Sequence, residues 1–161
     1  MSAFDPHITV ATVVERDGRY LVVEECPHGS SVLNQPAGHL EGGESLPDGA
    51  AREALEETGY RIRPTHLLGL YVWTSPNNGA TYFRICFTGE VLEKVEGYAI
   101  DKDIQAVHWY TLDELRERRD MLRSPLVLQF VEDHASGRRF PLDAIHDADE
   151  PARRAARTVH A

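Results

Sequence analysis

A glycine-rich loop that runs directly into an acidic helix, GHLEGGESLPDGAAREALEETGY over Gly38–Tyr60, constrains this chain more than any other stretch. Pro47 suits the first turn of the helix, with Ser45 or Leu46 left outside it, and Gly59 suits the cap that ends it. At about 100° per residue, Glu53, Glu56 and Glu57 fall within roughly one third of the helical circumference. Ala51, Ala54, Leu55 and Thr58 fall on the other side, which suits packing against a sheet. Two carboxylates about 5 Å apart repel by about 3 kcal/mol at an effective dielectric of ~20, and Arg52 is the close cationic neighbour. Such a face favours a bound cation, and oxygen-only ligation is what Mg²⁺ or Mn²⁺ selects. Taken alone, the helix is also that of a solvated acidic surface, with Arg52 and Glu56 as an ordinary i,i+4 pair.

The rest of the chain supplies strands and two more helices. Ile8 to Glu24 reads as a hairpin, ITVATVVE and YLVVEE around Arg16-Asp17-Gly18-Arg19, because Asp-Gly between β-branched runs is a strong turn signal. His28-Gly29-Ser30-Ser31 breaks the chain, and Val32 to Leu40 leads into the loop with Pro36 stiffening the backbone. Leu67–Thr74 and Thr81–Leu92 read as antiparallel strands joined by Ser75-Pro76-Asn77-Asn78-Gly79, and Ala106–Tyr110 as a short strand. Thr111 can cap a helix from Leu112 to about Asp120. Ser124-Pro125 opens another, with Leu126, Val127, Phe130 and Val131 as its apolar stripe and Gly137 as its stop. These elements predict an α+β sandwich around a mixed sheet in one domain over 1–146, followed by a charged tail over 147–161.

The formal charge of −9 argues against a nucleic-acid polymer as partner, but bound cations can reverse the local field for a small phosphorylated ligand. No run is long enough for a membrane span, and MSAFDPHITV lacks the regions of a signal peptide, so a cytoplasmic protein is expected. Cys26 and Cys86 show no metal-ligand spacing and are expected as free thiols. The oligomeric expectation is a monomer or a small homo-oligomer.

Gly38, five residues, Glu44, seven residues, then Arg52-Glu53-Ala54-Leu55-Glu56-Glu57-Thr58-Gly59-Tyr60 resembles the Nudix box of the Nudix hydrolases. The likeness extends through PHITVATVV, LVVEE, LNQPAGHLE, TYFRICF, DIQAVHW, LRSPLV and SGRRFPLDAI, about Pro6 to Ile145, and is similar to the NudJ-type phosphatase subfamily. It implies the α/β/α Nudix fold and Mg²⁺-dependent release of orthophosphate from nucleoside tri- and diphosphates and from thiamine-type pyrophosphates. It also implies roles for residues. Glu56 and Glu57 match the principal metal ligands, and Glu53 matches a ligand or the general base, the identity of the base remaining open. Arg52 matches the arginine that orients the helix glutamates, Glu44 matches a support of the loop, and Ala37 matches the residue whose main-chain carbonyl joins the metal. One position departs from the pattern. His108 stands before Trp109 where many members carry a further acid, and histidine is a poorer Mg²⁺ ligand; Asp101, Asp103 or Glu96 could supply that oxygen instead. Other Nudix specificities, for oxidised nucleotides, ADP-ribose or dinucleoside polyphosphates, and a non-catalytic metabolite sensor are the competing readings; the intact box weighs against the sensor.

Candidate substrate contacts come from the residues themselves. Trp73 and Tyr71 share a strand face and can form either a stacking wall for a small phosphorylated heteroaromatic or part of the core. Arg84 is an unusual charge in an apolar strand and can grip phosphate. Gln35 and Asn34 can hydrogen-bond a base or ribose. His39 can touch phosphate or be satisfied by the loop backbone. Lys102 and Arg123 carry no signal beyond charge.

Overall fold

The first two strands part company almost as soon as their turn is made, and that divergence shapes the molecule. The computed structural model describes residues 4–153. β1 (His7–Arg16) and β2 (Arg19–Glu25) are joined by Asp17 and Gly18 at φ 54° and 76°, the doubly left-handed turn that Asp-Gly favours. Their pairing covers only Glu15↔Tyr20 and Arg16↔Arg19. The expected long hairpin is therefore short, because each strand takes other partners. β1 pairs in parallel with β6 (Thr81–Lys94) and antiparallel with β4 (Ala37–His39). β2 pairs with β3 (Val32–Asn34) and β7 (Ile104–Tyr110). The lead into the glycine loop thus contains two short strands that the sequence reading did not anticipate, one on each side of the gap.

β5 (Tyr60–Thr74) lies at the sheet edge against β6. It begins seven residues earlier than expected, because Tyr60 and Ile62 are buried beneath the acidic helix. An edge strand with irregular pairing tolerates Pro64.

Helices cover both faces. α1 (Leu46–Thr58) packs Ala50 against Val10, Ile85 and Phe87, and Ala54 against Val14, Leu21, Tyr60 and Ile62. On the opposite face, α2 (Leu112–Glu117) and α3 (Pro125–Ala135) bring Leu115, Phe130 and Val131 onto Ala11, Val13, Val22, Leu68 and Cys86. Thr9 to Val14 of β1 are consequently buried on both sides, as expected of a strand that reads as a continuous apolar run. The result is the expected α/β/α arrangement around a mixed sheet. Thr111 forms a full capping box with Glu114 at the start of α2. The helix expected to reach Asp120 ends at Glu117 and continues as a short 3-10 turn over Arg119–Met121. Among the described residues, no helix is long and apolar enough to cross a membrane. Of the expected tail, 147–153 is described, with Arg153 paired to Asp147; the remainder lies outside the described residues.

Candidate active site

Three local signals place α1. Ser45 accepts from the Asp48 N–H at 3.2 Å, Pro47 occupies the first turn, and Gly59 closes the helix at φ 71° with its N–H on the Leu55 carbonyl. The face this turns toward the sheet is not the one counted from the apolar residues. Ala50, Glu53, Ala54, Glu57 and Thr58 are buried, whereas Ala51 and Leu55 are half-buried. Two glutamates belong to the packed face because β4 runs beneath them. A Cβ at Gly38 would stand 2.2 Å from Glu53 Oε1, so the strand can pass under that carboxylate only as glycine. Beside it, the Ala37 N–H donates to Glu57 Oε2 at 2.9 Å.

Arg52 ties the acids together. Its Nε and Nη2 donate to both oxygens of Glu44 at 2.9 and 2.8 Å, the bidentate geometry in which a guanidinium binds carboxylate best. Its Nη1 reaches Glu53 Oε1 at 2.9 Å and Glu56 Oε2 at 3.0 Å, and its Nη2 also reaches the His39 carbonyl at 3.1 Å. Glu44 in turn accepts the Glu41 N–H at 2.8 Å, and its bond with Arg52 is the main cause of its lowered pKa. Burial raises the carboxyl of Glu53. Burial pushes Glu57 up to about 9, and the charges of Glu25, Glu53 and Asp101 push in the same direction. A buried carboxyl crowded by three others is costly until a cation joins it, and the donors are oxygen throughout, so the residues present fit a hard divalent ion. As they stand, with Arg52 drawing on two of the glutamates, no group of three His, Cys, Asp or Glu side chains among the described residues is set out as a ready metal cage.

The four residues considered for an outer acid separate clearly. The Asp101 N–H donates to the Glu56 carbonyl at 2.9 Å, and its charge acts on both Glu53 and Glu57. Asp103 lines a different hollow beside Cys26 and Lys102. Glu96 is exposed in the turn after β6. His108 pairs through Nε2 with Glu24 Oε2 at 2.7 Å and stacks on Tyr110 at 5.1 Å.

A cleft of about 330 Å³ opens against Ala37, Gly38 and His39, in the gap where β1 and β2 diverge. Trp73 and Tyr82, with ring centroids 5.9 Å apart, form an aromatic wall, and His7 stacks on Tyr82 at 4.9 Å. Asn34, Arg84 and His39 also line it, as does Arg123. Asn34 donates to Glu25 at 3.2 Å while its buried Oδ1 has no partner among the described residues. The structure does not bring Tyr71 or Gln35 to this wall. Tyr71 donates its hydroxyl to Asp133 at 2.7 Å and packs its ring edge-on to Phe130. Gln35 is buried and donates to the Val127 carbonyl at 2.7 Å, pinning the crossing between β3 and β4 to α3. Glu25 and Tyr82 line the cleft but were missed; Glu25 sits in an ordinary Glu-Glu strand end, and only strand pairing reveals where it faces.

Residues 5–130 match the family model of the NUDIX domain. The chain is 40% identical over 148 residues to Phosphatase NudJ of Escherichia coli strain K12, spanning 92% of this chain and 95% of that one. The solved structure of a NUDIX hydrolase from Nitrosomonas europaea superposes with a TM-score of 0.87 at 46% identity, over 90% of this chain and 99% of that one. The NUDIX domain of Shewanella oneidensis NrtR, solved with ADP ribose, shares the fold alone, with a TM-score of 0.62 at 20% identity over 82% of this chain and 88% of that one.

Proposed function

The chain belongs to the Nudix domain family and is a hydrolase of phosphoanhydride bonds, and from that premise we propose that it is a Mg²⁺-dependent phosphatase releasing orthophosphate from nucleoside tri- and diphosphates and thiamine-type pyrophosphates. The observation that carries this reading is continuity. The acidic face of α1 meets the Gly38 strand, and the Gly38 strand is itself the floor of an aromatic cleft. A flat heteroaromatic group stacks on Trp73 and Tyr82, and its pyrophosphate extends toward Gly38. The similarity to a phosphatase, NudJ of Escherichia coli, supports orthophosphate as the product.

Glu53, Glu56, Glu57 and the Ala37 carbonyl would hold the divalent ion, with Mn²⁺ as a substitute. When bound, it neutralises phosphate oxygens and acidifies water. The remaining work belongs to the chain. Arg52 holds Glu53 and Glu56 at fixed positions and is a positioning residue. A glutamate left free of the ion takes the proton of the attacking water; Glu53 and Glu57 both stand close enough to the cleft floor to serve. Asp101, whose charge already acts on both, is the outer acid in place of His108. The catalytic unit is 1–146, and the protein acts in the cytoplasm.

Turnover of nucleoside di- and triphosphates and thiamine pyrophosphate with Mg²⁺, with the released products identified, tests the proposal. Orthophosphate from a nucleoside triphosphate is expected. Inorganic pyrophosphate as the sole product would replace the substrate reading with another Nudix specificity, and tight binding without turnover would make the protein a sensor.

A further inference from the structure

Arg84 and Arg123 both line the cleft, and among its described lining residues Glu25 is the one carboxylate. Arg84 stands in β6 opposite Thr9 of β1 and donates through Nε to the Thr9 hydroxyl at 3.2 Å. Its guanidinium carbon lies 6.0 Å from the Phe130 ring centroid, and it joins no ion pair among the described residues. Burial pushes its pKa down and the charge of Arg123 acts in the same direction, while Cys86, Glu25 and Tyr82 act against them. Arg123 is anchored by its N–H to the Leu33 carbonyl at 2.9 Å, while its side chain pairs with Glu25. Ser124, buried in the lining of the same cleft, has a hydroxyl that caps no N–H of α3. Arg52, the cation of the catalytic helix, is already committed to Glu44, Glu53 and Glu56.

Two guanidiniums that face a shared space and repel each other are held more favourably once an anion lies between them. A tetrahedral oxyanion meets the planar N–H forks with several acceptor oxygens at once. Resting on the phosphohydrolase reading, we propose that Arg84 and Arg123 form a subsite for free orthophosphate, the reaction product, that fills without metal and that Glu25 guards by competing for Arg123. Phosphate entering the subsite accepts from the terminal nitrogens of Arg84 and displaces Glu25 from Arg123. Glu25 is left hydrogen-bonded to Asn34, which already donates to it at 3.2 Å. The subsite makes the enzyme susceptible to inhibition by its own product at the phosphate end of the cleft.

Titrating inorganic phosphate into the full chain in EDTA, followed by calorimetry, tests this. One saturable site is expected in the wild type. Arg84→Gln and Arg123→Gln should each weaken it about tenfold or more, Arg84→Lys should retain part of it, and Glu25→Gln should tighten it several-fold. If Arg84→Gln fails to fold, Arg123→Gln and Glu25→Gln at the cleft rim decide the matter. Absence of saturable binding in the wild type, unchanged affinity in both arginine variants, or weaker binding in Glu25→Gln would each overturn the subsite. Orthophosphate release with Mg²⁺, measured in parallel, separates the two ideas. Turnover without phosphate binding overturns the subsite alone, and phosphate binding without turnover supports the subsite while overturning the phosphohydrolase reading.

Discussion

Gly38→Ala isolates the link between β4 and the catalytic helix with a single methyl group. A Cβ at this position would lie 2.2 Å from Glu53 Oε1, 2.3 Å from its Cδ and 2.4 Å from Oε2. Gly38 is not among the glycines at positive φ, so alanine brings no backbone strain and the effect is the collision alone. Non-bonded carbon and oxygen need about 1 Å more than these separations. The carboxylate must retreat by that distance, although it is buried and held by Arg52 at 2.9 Å. Overpacking of this kind costs about 1–3 kcal/mol, or roughly 2–4 °C of melting temperature per kcal/mol in a chain of this size. Displacing a catalytic group by about 1 Å costs about a hundredfold in turnover. A modest loss of melting temperature beside a large loss of kcat is the expected signature, measured by orthophosphate release and thermal denaturation. Adding Glu53→Asp shortens the colliding side chain and should restore the melting temperature while leaving turnover low. Wild-type kcat and wild-type Mn²⁺ affinity in Gly38→Ala would refute the reasoning, since the Glu53 carboxylate would then not need the space above β4.

Three further outcomes are expected. Glu57→Gln should lose turnover by orders of magnitude while melting at or above the wild-type temperature, because the amide can still accept from Ala37 and burying it costs less than burying a carboxylate. Trp73→Ala should raise KM about tenfold for nucleotide and thiamine substrates, which lose a stacking partner, and leave KM for inorganic tripolyphosphate nearly unchanged. His134 titrates in the opposite direction from a salt-bridged histidine. Burial, with the charge of Arg139 acting the same way, pushes it down to about 4, and its Nε2 lies 2.8 Å from an Arg139 guanidinium nitrogen, which requires the neutral ring to accept there. The unfolded chain therefore binds the proton more readily between pH 6.5 and 4, so the contribution to stability is full above about pH 6.5 and is lost as pH falls toward 4. His134→Gln should flatten that part of the urea-denaturation profile; superimposable profiles would contradict the assignment.

Local signals carried well from sequence to structure wherever a few adjacent residues decide the outcome. Asp17-Gly18, Ser45 with Pro47, Gly59, the Thr111–Glu114 box and Ser124-Pro125 all act within one turn of chain. Readings stayed open where the deciding partner lay far along the chain. Tyr71 could have stacked on a ligand or packed in the core, and its hydroxyl bond to Asp133 on α3 and its contact with Phe130 put it in the core. Gln35 looked like a ligand for a base, but it fastens a strand crossing to Val127. β3 and β4, three residues each, carry too little periodicity to announce themselves and exist because β1 and β2 leave open edges for them.

The residue order alone determined that this chain is a Nudix protein with an acidic helix whose glutamates repel one another, because box spacing and helical geometry are properties of neighbouring residues. The tertiary structure decided which of those glutamates are buried, and why. β4 passes beneath Glu53 and Glu57, Arg52 gathers Glu44, Glu53 and Glu56, and the separation of β1 from β2 brings Glu25, Arg84 and Arg123 to the same cleft. The Arg52–Glu56 pair follows from helical spacing alone, but the contacts of β4 with Glu53 and Glu57 and the meeting of Glu25, Arg84 and Arg123 have no sequence period, since they depend on strands that are distant in the chain.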